Sequence, residues 1–174
     1  MKKAIKKYKN YIFPILVIVI LSFSRLIPHP SNFTPILAAG IFSGFYFKNF
    51  ILSFFIVVFS MFLGDLYLGF HNTMLLTYTS LSIAVLIGMF IKDFKTKEII
   101  LSGLVSSACF FIITNFGVWA MSGMYQKSFA GLLQSYTMAI PFFHNTLLST
   151  FIYLIVFKLF FEIATQKKII KNSI

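Results

Sequence analysis

A chain of 174 residues that is 59% hydrophobic, 19% aromatic and only 11% charged, with a mean hydropathy of +0.90, is too apolar for a water-soluble domain, where charged residues reach about 25%. Its formal net charge is +11, yet the lysines sit at the borders of apolar runs, so the charge calls for a membrane surface and no nucleic acid. The single cysteine, Cys109, lies inside an apolar run, which excludes a disulfide framework and a cysteine metal motif.

The first apolar run follows Lys2, Lys3, Lys6, Lys7 and Lys9 and has the outline of a signal peptide. No small-x-small cleavage site follows it, so it reads as a retained membrane helix over Tyr11–Ile27. A second, short helix over Phe33–Phe47 begins beside Pro35. At about 15 residues it falls below the roughly 20 needed to cross hydrocarbon, and it is tolerable if packed inside a bundle instead of facing lipid. Phe50–Leu68, Thr73–Ile91, Glu98–Ala120 and Ala139–Phe161 complete six predicted spans in a single transmembrane domain covering 1–174. A short interfacial helix is expected over Phe129–Tyr136, within the longer loop between the last two spans.

Charge sets the expected orientation. With the N-terminus in the cytoplasm, the inner set is the five N-terminal lysines with Lys48, Lys92, Lys95, Lys97, Lys158, Lys167, Lys168 and Lys171, and the outer set is only Arg25 and Lys127. That bias follows the positive-inside rule, placing both termini inside.

Polar islands interrupt the apolar runs, and in this topology every one lands on the outer side. They are Arg25 to Pro35, including His29 and Asn32; Asp65 in the last turns of the third helix; His71-Asn72-Thr73; Asn115 and Trp119 at the end of the fifth; Tyr136; and His144-Asn145-Thr146. Each has a plain structural reading. Arg25 can snorkel to headgroups, Asp65 can pair with it for structure alone, and Trp119 can be an interfacial anchor. Their coincidence on one side points instead to a binding site, because polar groups in or near hydrocarbon are costly.

Phe70-His71-Asn72-Thr73 recurs as Phe143-His144-Asn145-Thr146, with similarity fading after Thr77 and Thr150. It reads either as a doubled helix-start signal or as two helix N-termini aiming backbone donors and imidazoles at one pocket. No Gly-x-Ser-x-Gly, His-Glu-x-x-His or Walker motif occurs, so no enzyme activity and no catalytic residue is expected. The three histidines with Asp65 are dispersed in sequence and could bind a transition metal only if helix packing brings them together, and no cofactor is implied.

At these residues a family resemblance enters. Arg25-Leu-Ile-Pro-His-Pro-Ser-Asn-Phe-Thr-Pro-Ile, Asp65-Leu-Tyr-Leu-Gly-Phe-His71, Thr114-Asn-Phe-Gly-Val-Trp119, Gly131-Leu-Leu-Gln-Ser-Tyr136 and Ala139-Ile-Pro-Phe-Phe-His-Asn-Thr-Leu147 together resemble DUF6580, a bacterial membrane family of unknown function described as transport proteins. In outline that family is similar to the substrate-binding S components of energy-coupling factor vitamin transporters. The resemblance implies an all-α, six-helix transmembrane bundle in the bacterial inner membrane. It singles out Arg25, His29, Asn32, Asp65, His71, Asn115, Trp119, Tyr136 and Asn145 as recurring positions. His144, next to Asn145, joins them as a substrate-site candidate. Where the family usually continues with Gly-Asp, this chain has Ser149-Thr150, a departure that bears on substrate.

The expected function is therefore capture, and transport, of a small organic, vitamin-like solute from the outer side. Arg25 would hold an anionic or carbonyl group, Asp65 would orient Arg25 or accept from the solute, and Trp119 and Tyr136 would stack on a ring. The partners are the bilayer, the solute, and an energy-coupling membrane subunit with its ATPase. The first helix lacks the Ala-x-x-x-Ala contact of S components, whereas Ala39/Ser43 and Gly40/Gly44 in the second offer a close-packing face. A metal-uptake or metal-sensing protein using His29, His71 and His144, and a non-transporting scaffold subunit, are the alternatives.

Overall fold

The computed structural model describes residues 16–166. The N-terminal lysines, the start of the first predicted span and Lys167, Lys168 and Lys171 lie outside that range. The described residues are all helical, with no strand. A helical stretch over 16–24 (α1) leads through a proline-rich turn to α2 (Ile36–Phe47). Then come α3 (Phe50–Leu68), α4 (Met74–Phe90), α5 (Thr96–Met121), α6 (Phe129–Met138) and α7 (Ile140–Gln166). The helices fall where the apolar runs predict them, and α6 extends the expected short helix by one turn fraction to Met138.

Three helices, α3, α5 and α7, are long and apolar enough to cross a membrane. The shorter α2 has 12 residues, about 18 Å at 1.5 Å per residue, well under the roughly 30 Å of hydrocarbon. Its position explains how so short a helix is accommodated. Residues Ile36 through Gly44 are buried without interruption, the mark of a helix enclosed on all sides. It packs against α3, α4, α5 and α7 and forms the axis of the bundle.

The interior mixes large apolar side chains, such as Ile41, Ile56, Leu81 and Leu154, with many serines, and large apolar side chains also cover the outside. Ser43, Ser53, Ser60, Ser80, Ser102, Ser106 and Ser107 are buried, while Ile51, Phe55, Leu66, Leu101, Ile112, Ile152 and Phe160 are exposed. Buried serines and an apolar exterior fit helices that associate through close backbone approach. Hydroxyls inside the helices mostly donate to their own chain, as Ser80 does to the Leu76 carbonyl at 2.7 Å and Ser82 to Tyr78 at 2.7 Å. Ser53 instead crosses to the Ser43 carbonyl at 2.9 Å and ties α3 to α2.

The closest approach is between α2 and α4. A Cβ on Gly44 would collide with the Val85 carbonyl, and one on Gly88 with the Ile41 carbonyl; on Gly40 it would meet Ala84 Cβ at 3.3 Å. The small-residue face of α2 expected from sequence is thus consumed inside the chain. Ala39, Gly40, Ser43 and Gly44 are all buried.

The two ends of the bundle differ. Near the end of α2, Phe42 stacks on Phe157 at 5.1 Å and meets Phe94 edge-on at 5.5 Å, while Phe45 stacks on Phe94 at 4.8 Å. Lys48 closes this aromatic cluster. Its ammonium donates to the Met89 carbonyl at 2.9 Å and to that of Ile91, and burial lowers its pKa. The start of α2 faces a polar cavity.

Candidate functional site

The cavity lies where the turn after α1 folds back over the ends of α2, α3, α4, α5 and α7. Its volume is about 160 Å³, and its lining includes Arg25, His29, Asn32, Thr34, Thr77, Thr146 and Ser149 beside Ile36, Leu37, Met61, Leu68 and Phe110. Three residues expected from sequence, Arg25, His29 and Asn32, are on its wall.

Arg25 is held by a buried acid. Its Nη1 donates to Asp65 Oδ1 at 2.7 Å and to the Met61 carbonyl at 2.8 Å. The Asp65 side chain is 1% exposed and that of Arg25 14%. Tyr78 on α4 donates to the other carboxylate oxygen at 2.6 Å. An unpaired carboxylate so deep would be strongly disfavoured, and here both oxygens accept from a donor. Gly64, one residue before Asp65, makes room. A Cβ there would lie 2.5 Å from Nη1 and 3.2 Å from Cζ of Arg25, so the guanidinium rests on bare backbone.

The turn that carries His29 and Asn32 is fastened to α7. Asn145 Nδ2 donates to the Ser31 carbonyl at 3.0 Å, and Ser149 Oγ to that of Asn32 at 3.4 Å. Asn32 itself takes φ of 62°, a left-handed conformation that Asn tolerates better than most residues. Asn145 thus acts on the site through the backbone of the turn.

The remaining candidates are placed elsewhere. Trp119 Nε1 donates to the Gln126 carbonyl at 2.9 Å, and Lys127 donates to the Trp119 carbonyl while its ammonium lies 5.6 Å from the indole. Tyr136 donates to the Ile112 carbonyl at 2.9 Å, and burial raises its pKa, which keeps it a donor. Asn115 Nδ2 donates to Phe111 in its own helix at 2.8 Å, and its carbonyl accepts from Ser135 at 2.9 Å. These residues bind α5, the following loop and α6 together; none lines the cavity. His71 bonds to the Thr73 hydroxyl at 2.9 Å and is exposed, as is His144. Among the described residues no group of three or more His, Cys, Asp or Glu side chains could hold a metal ion.

The repeated Phe-His-Asn-Thr motif serves two different ends: the first copy stands at the start of α4, with Thr73 in the N-cap position, and the second does not open a helix. Thr73 precedes α4 but makes no side-chain cap. The second copy lies inside α7, because that helix already starts at Ile140, with Pro141 in the first turn where proline is favoured. What the two copies contribute to the cavity lies downstream or at their ends: Thr77 from the first, Thr146 and then Ser149 from the second.

Tyr78, Gly64 and Thr77 are site residues that sequence reasoning missed, whereas Ser149 stands at the position where the chain departs from the family pattern. Tyr78 is one of five hydroxyl residues in α4, with Thr77, Thr79, Ser80 and Ser82, so its hydroxyl alone was no signal, and the signal for Thr77 was its place at the limit of the repeat.

At the other end of α4 and the start of α5, a second depression of about 430 Å³ is lined mainly by apolar side chains with Lys92 and Glu98. It lacks the convergent polar wall of the Arg25 cavity.

An all-helical fold whose described residues include three membrane-length apolar helices, with large apolar side chains exposed on their outer faces, defines a helical membrane protein. The chain belongs to DUF6580, a family of unknown function whose model matches residues 5–172. No curated protein and no solved structure matches it.

Proposed function

We propose that this protein is a six-span inner-membrane protein that binds, and delivers for transport, a small organic solute entering the Arg25 cavity from the outer side. In this reading α1 to α5 and α7 are the spans, α6 lies at the interface, and both termini are cytoplasmic. The lysine distribution supports that orientation, since the Arg25 end carries almost none of the positive charge. The short α2 then needs no lipid-facing length, because it is the enclosed axis of the bundle.

The observation that carries the binding role is the cavity itself. It combines a positioned guanidinium, several hydroxyls and apolar walls, the mixture typical of small-molecule sites. The aromatic cluster and Lys48 close the opposite end of the bundle. Passage of a solute would therefore require movement of the whole bundle or a partner, as in the S components that the chain resembles in outline. An energy-coupling membrane subunit with an ATPase would supply it. The buried Gly40/Gly44 face is not available to such a partner, which would have to use the outward apolar faces.

Native mass spectrometry of gently purified protein tests the binding role. A retained small molecule that is lost in Arg25→Gln is expected. Absence of any retained molecule, together with no thermal shift across a broad solute panel, would refute it in favour of a structural subunit.

A further inference from the structure

Resting on the solute-binding reading above, we infer that the solute is a small, uncharged ring amide, offering a carbonyl oxygen and an N–H, and not an organic anion.

Charge decides the first part. An isolated arginine in a cavity would recruit a carboxylate or phosphate, but Arg25 is already neutralised. Nη1 is shared between Asp65 Oδ1 and the Met61 carbonyl, and Asp65 is buried behind it with its second oxygen held by Tyr78. An anion approaching Arg25 also approaches that fixed negative charge, and it must shed its own hydration to do so. The pair presents a dipole, with Arg25 Nε and Nη2 lacking an acceptor among the described residues. Such N–H groups suit a neutral carbonyl oxygen.

The hydroxyls decide the second part. Each has one O–H to give; those on α4 and α7 have spent it, and Thr34 on the turn alone keeps its own among the described wall hydroxyls. Thr77 donates to the Thr73 carbonyl at 3.1 Å, Thr146 to Phe142 at 2.9 Å, and Ser149 to Asn32 or Thr146 at 3.4 and 3.1 Å. Their remaining capacity is as acceptors. The α4 and α7 walls therefore favour a ligand that brings its own N–H, opposite an arginine that favours a carbonyl. A ring carboxamide or lactam meets both demands; a carboxylate has no donor.

Size sets the scale. The cavity, at about 160 Å³, matches the roughly 150 Å³ that accommodates benzene and is smaller than the roughly 300–1,000 Å³ of drug-sized sites. One ring with a short substituent fits, with Ile36, Leu37 and Phe110 as its apolar surround.

The test uses isosteric pairs: benzamide against benzoate, and pyridine-3-carboxamide against pyridine-3-carboxylate. Binding to the full-length protein is measured by calorimetry at about pH 8, where an ordinary imidazole is neutral. Each amide should bind at least about tenfold tighter than its carboxylate, because the site's polar groups discriminate by pairing. Asp65→Asn should reverse that order by leaving Arg25 uncompensated. The substitution is isosteric, and its amide can still accept from Arg25 and donate to the Tyr78 oxygen. The wild-type comparison stands even if this variant does not fold. A carboxylate that binds wild type more tightly than its amide overturns the inference and leaves solute binding intact. If no probe binds, the molecule retained in native mass spectrometry decides: a charged or multi-ring compound overturns the inference, and a neutral ring amide upholds it. If nothing is retained either, the solute-binding reading itself falls.

Discussion

Gly64 and Arg25 are in direct apposition: the guanidinium of Arg25 occupies the space that a Cβ on Gly64 would claim, 2.5 Å from Nη1. The contact cannot relax by a simple swing of the arginine, because the same nitrogen is bonded to Asp65 and to the Met61 carbonyl. Gly64→Ala gains about 1 kcal/mol of helix propensity. The overpacking typically costs about 1–3 kcal/mol, and the arginine loses its partners. A lower melting temperature and loss of retained solute are expected. A variant as stable as wild type that still binds would contradict this geometry.

Arg25, Asp65 and Tyr78 form one unit and should behave as one. Asp65→Ala strands a partly buried guanidinium and is expected to cost about 3–5 kcal/mol. Arg25→Ala strands the deeper charge and should cost a comparable amount. In a thermal-unfolding cycle the double variant should be far less damaged than the sum of the singles. Tyr78→Phe removes one bond to a charged acceptor and should cost about 1.5–3 kcal/mol. Additive single effects would mean that the pairing contributes nothing.

Asn145 controls the turn through Ser31, a contact that joins residues 114 positions apart. Asn145→Ala should lower stability by about 1 kcal/mol while weakening solute binding more than that figure implies, because His29 and Asn32 lose their anchorage. Proteolysis or hydrogen exchange within 25–35 should accelerate in the variant. Unchanged exchange would show that Ser149 alone holds the turn.

Trp119, expected in the site, lies outside the lining of the cavity. Its indole N–H is committed to Gln126 and its ring to Lys127, away from the cavity. Trp119→Ala should loosen the loop between α5 and α6 and lower the melting temperature, yet leave solute affinity within about twofold of wild type, since it removes no contact with the site. A complete loss of binding with normal folding would return Trp119 to the pocket.

The proposed orientation has a direct check. Cysteines introduced at Ser31 and Lys127, in a Cys109→Ser background, should react with an impermeant thiol reagent from outside intact cells. A reporter fused after Ile174 should be cytoplasmic. Reversed labelling would place the cavity on the inner face and end the uptake reading.

The sequence by itself determined where the helices lie, though not all their ends, because long apolar runs and their polar breaks are local properties; the last span was expected to end at Phe161 and runs to Gln166. Phe50–Leu68 is identical in sequence expectation and structure, and the shortness of α2 was legible from Pro35 and Lys48. It also determined the Arg25–Asp65 pair, since an arginine and an acid at neighbouring helix ends had few other partners. Only the tertiary structure decided which residues face the cavity. Helices apolar on every side carry no amphipathic stripe to reveal their rotation, so Tyr78 and Thr77 could not be separated from their neighbours in advance. Trp119, Tyr136 and His144 could not be excluded for the same reason. Their polar groups could have pointed into a pocket or onto nearby backbone, and helix packing settled that choice by placing carbonyls of Gln126 and Ile112 within reach of the first two. Gly64 became meaningful only when the guanidinium was found lying against it, because the need for a missing Cβ belongs to two elements at once.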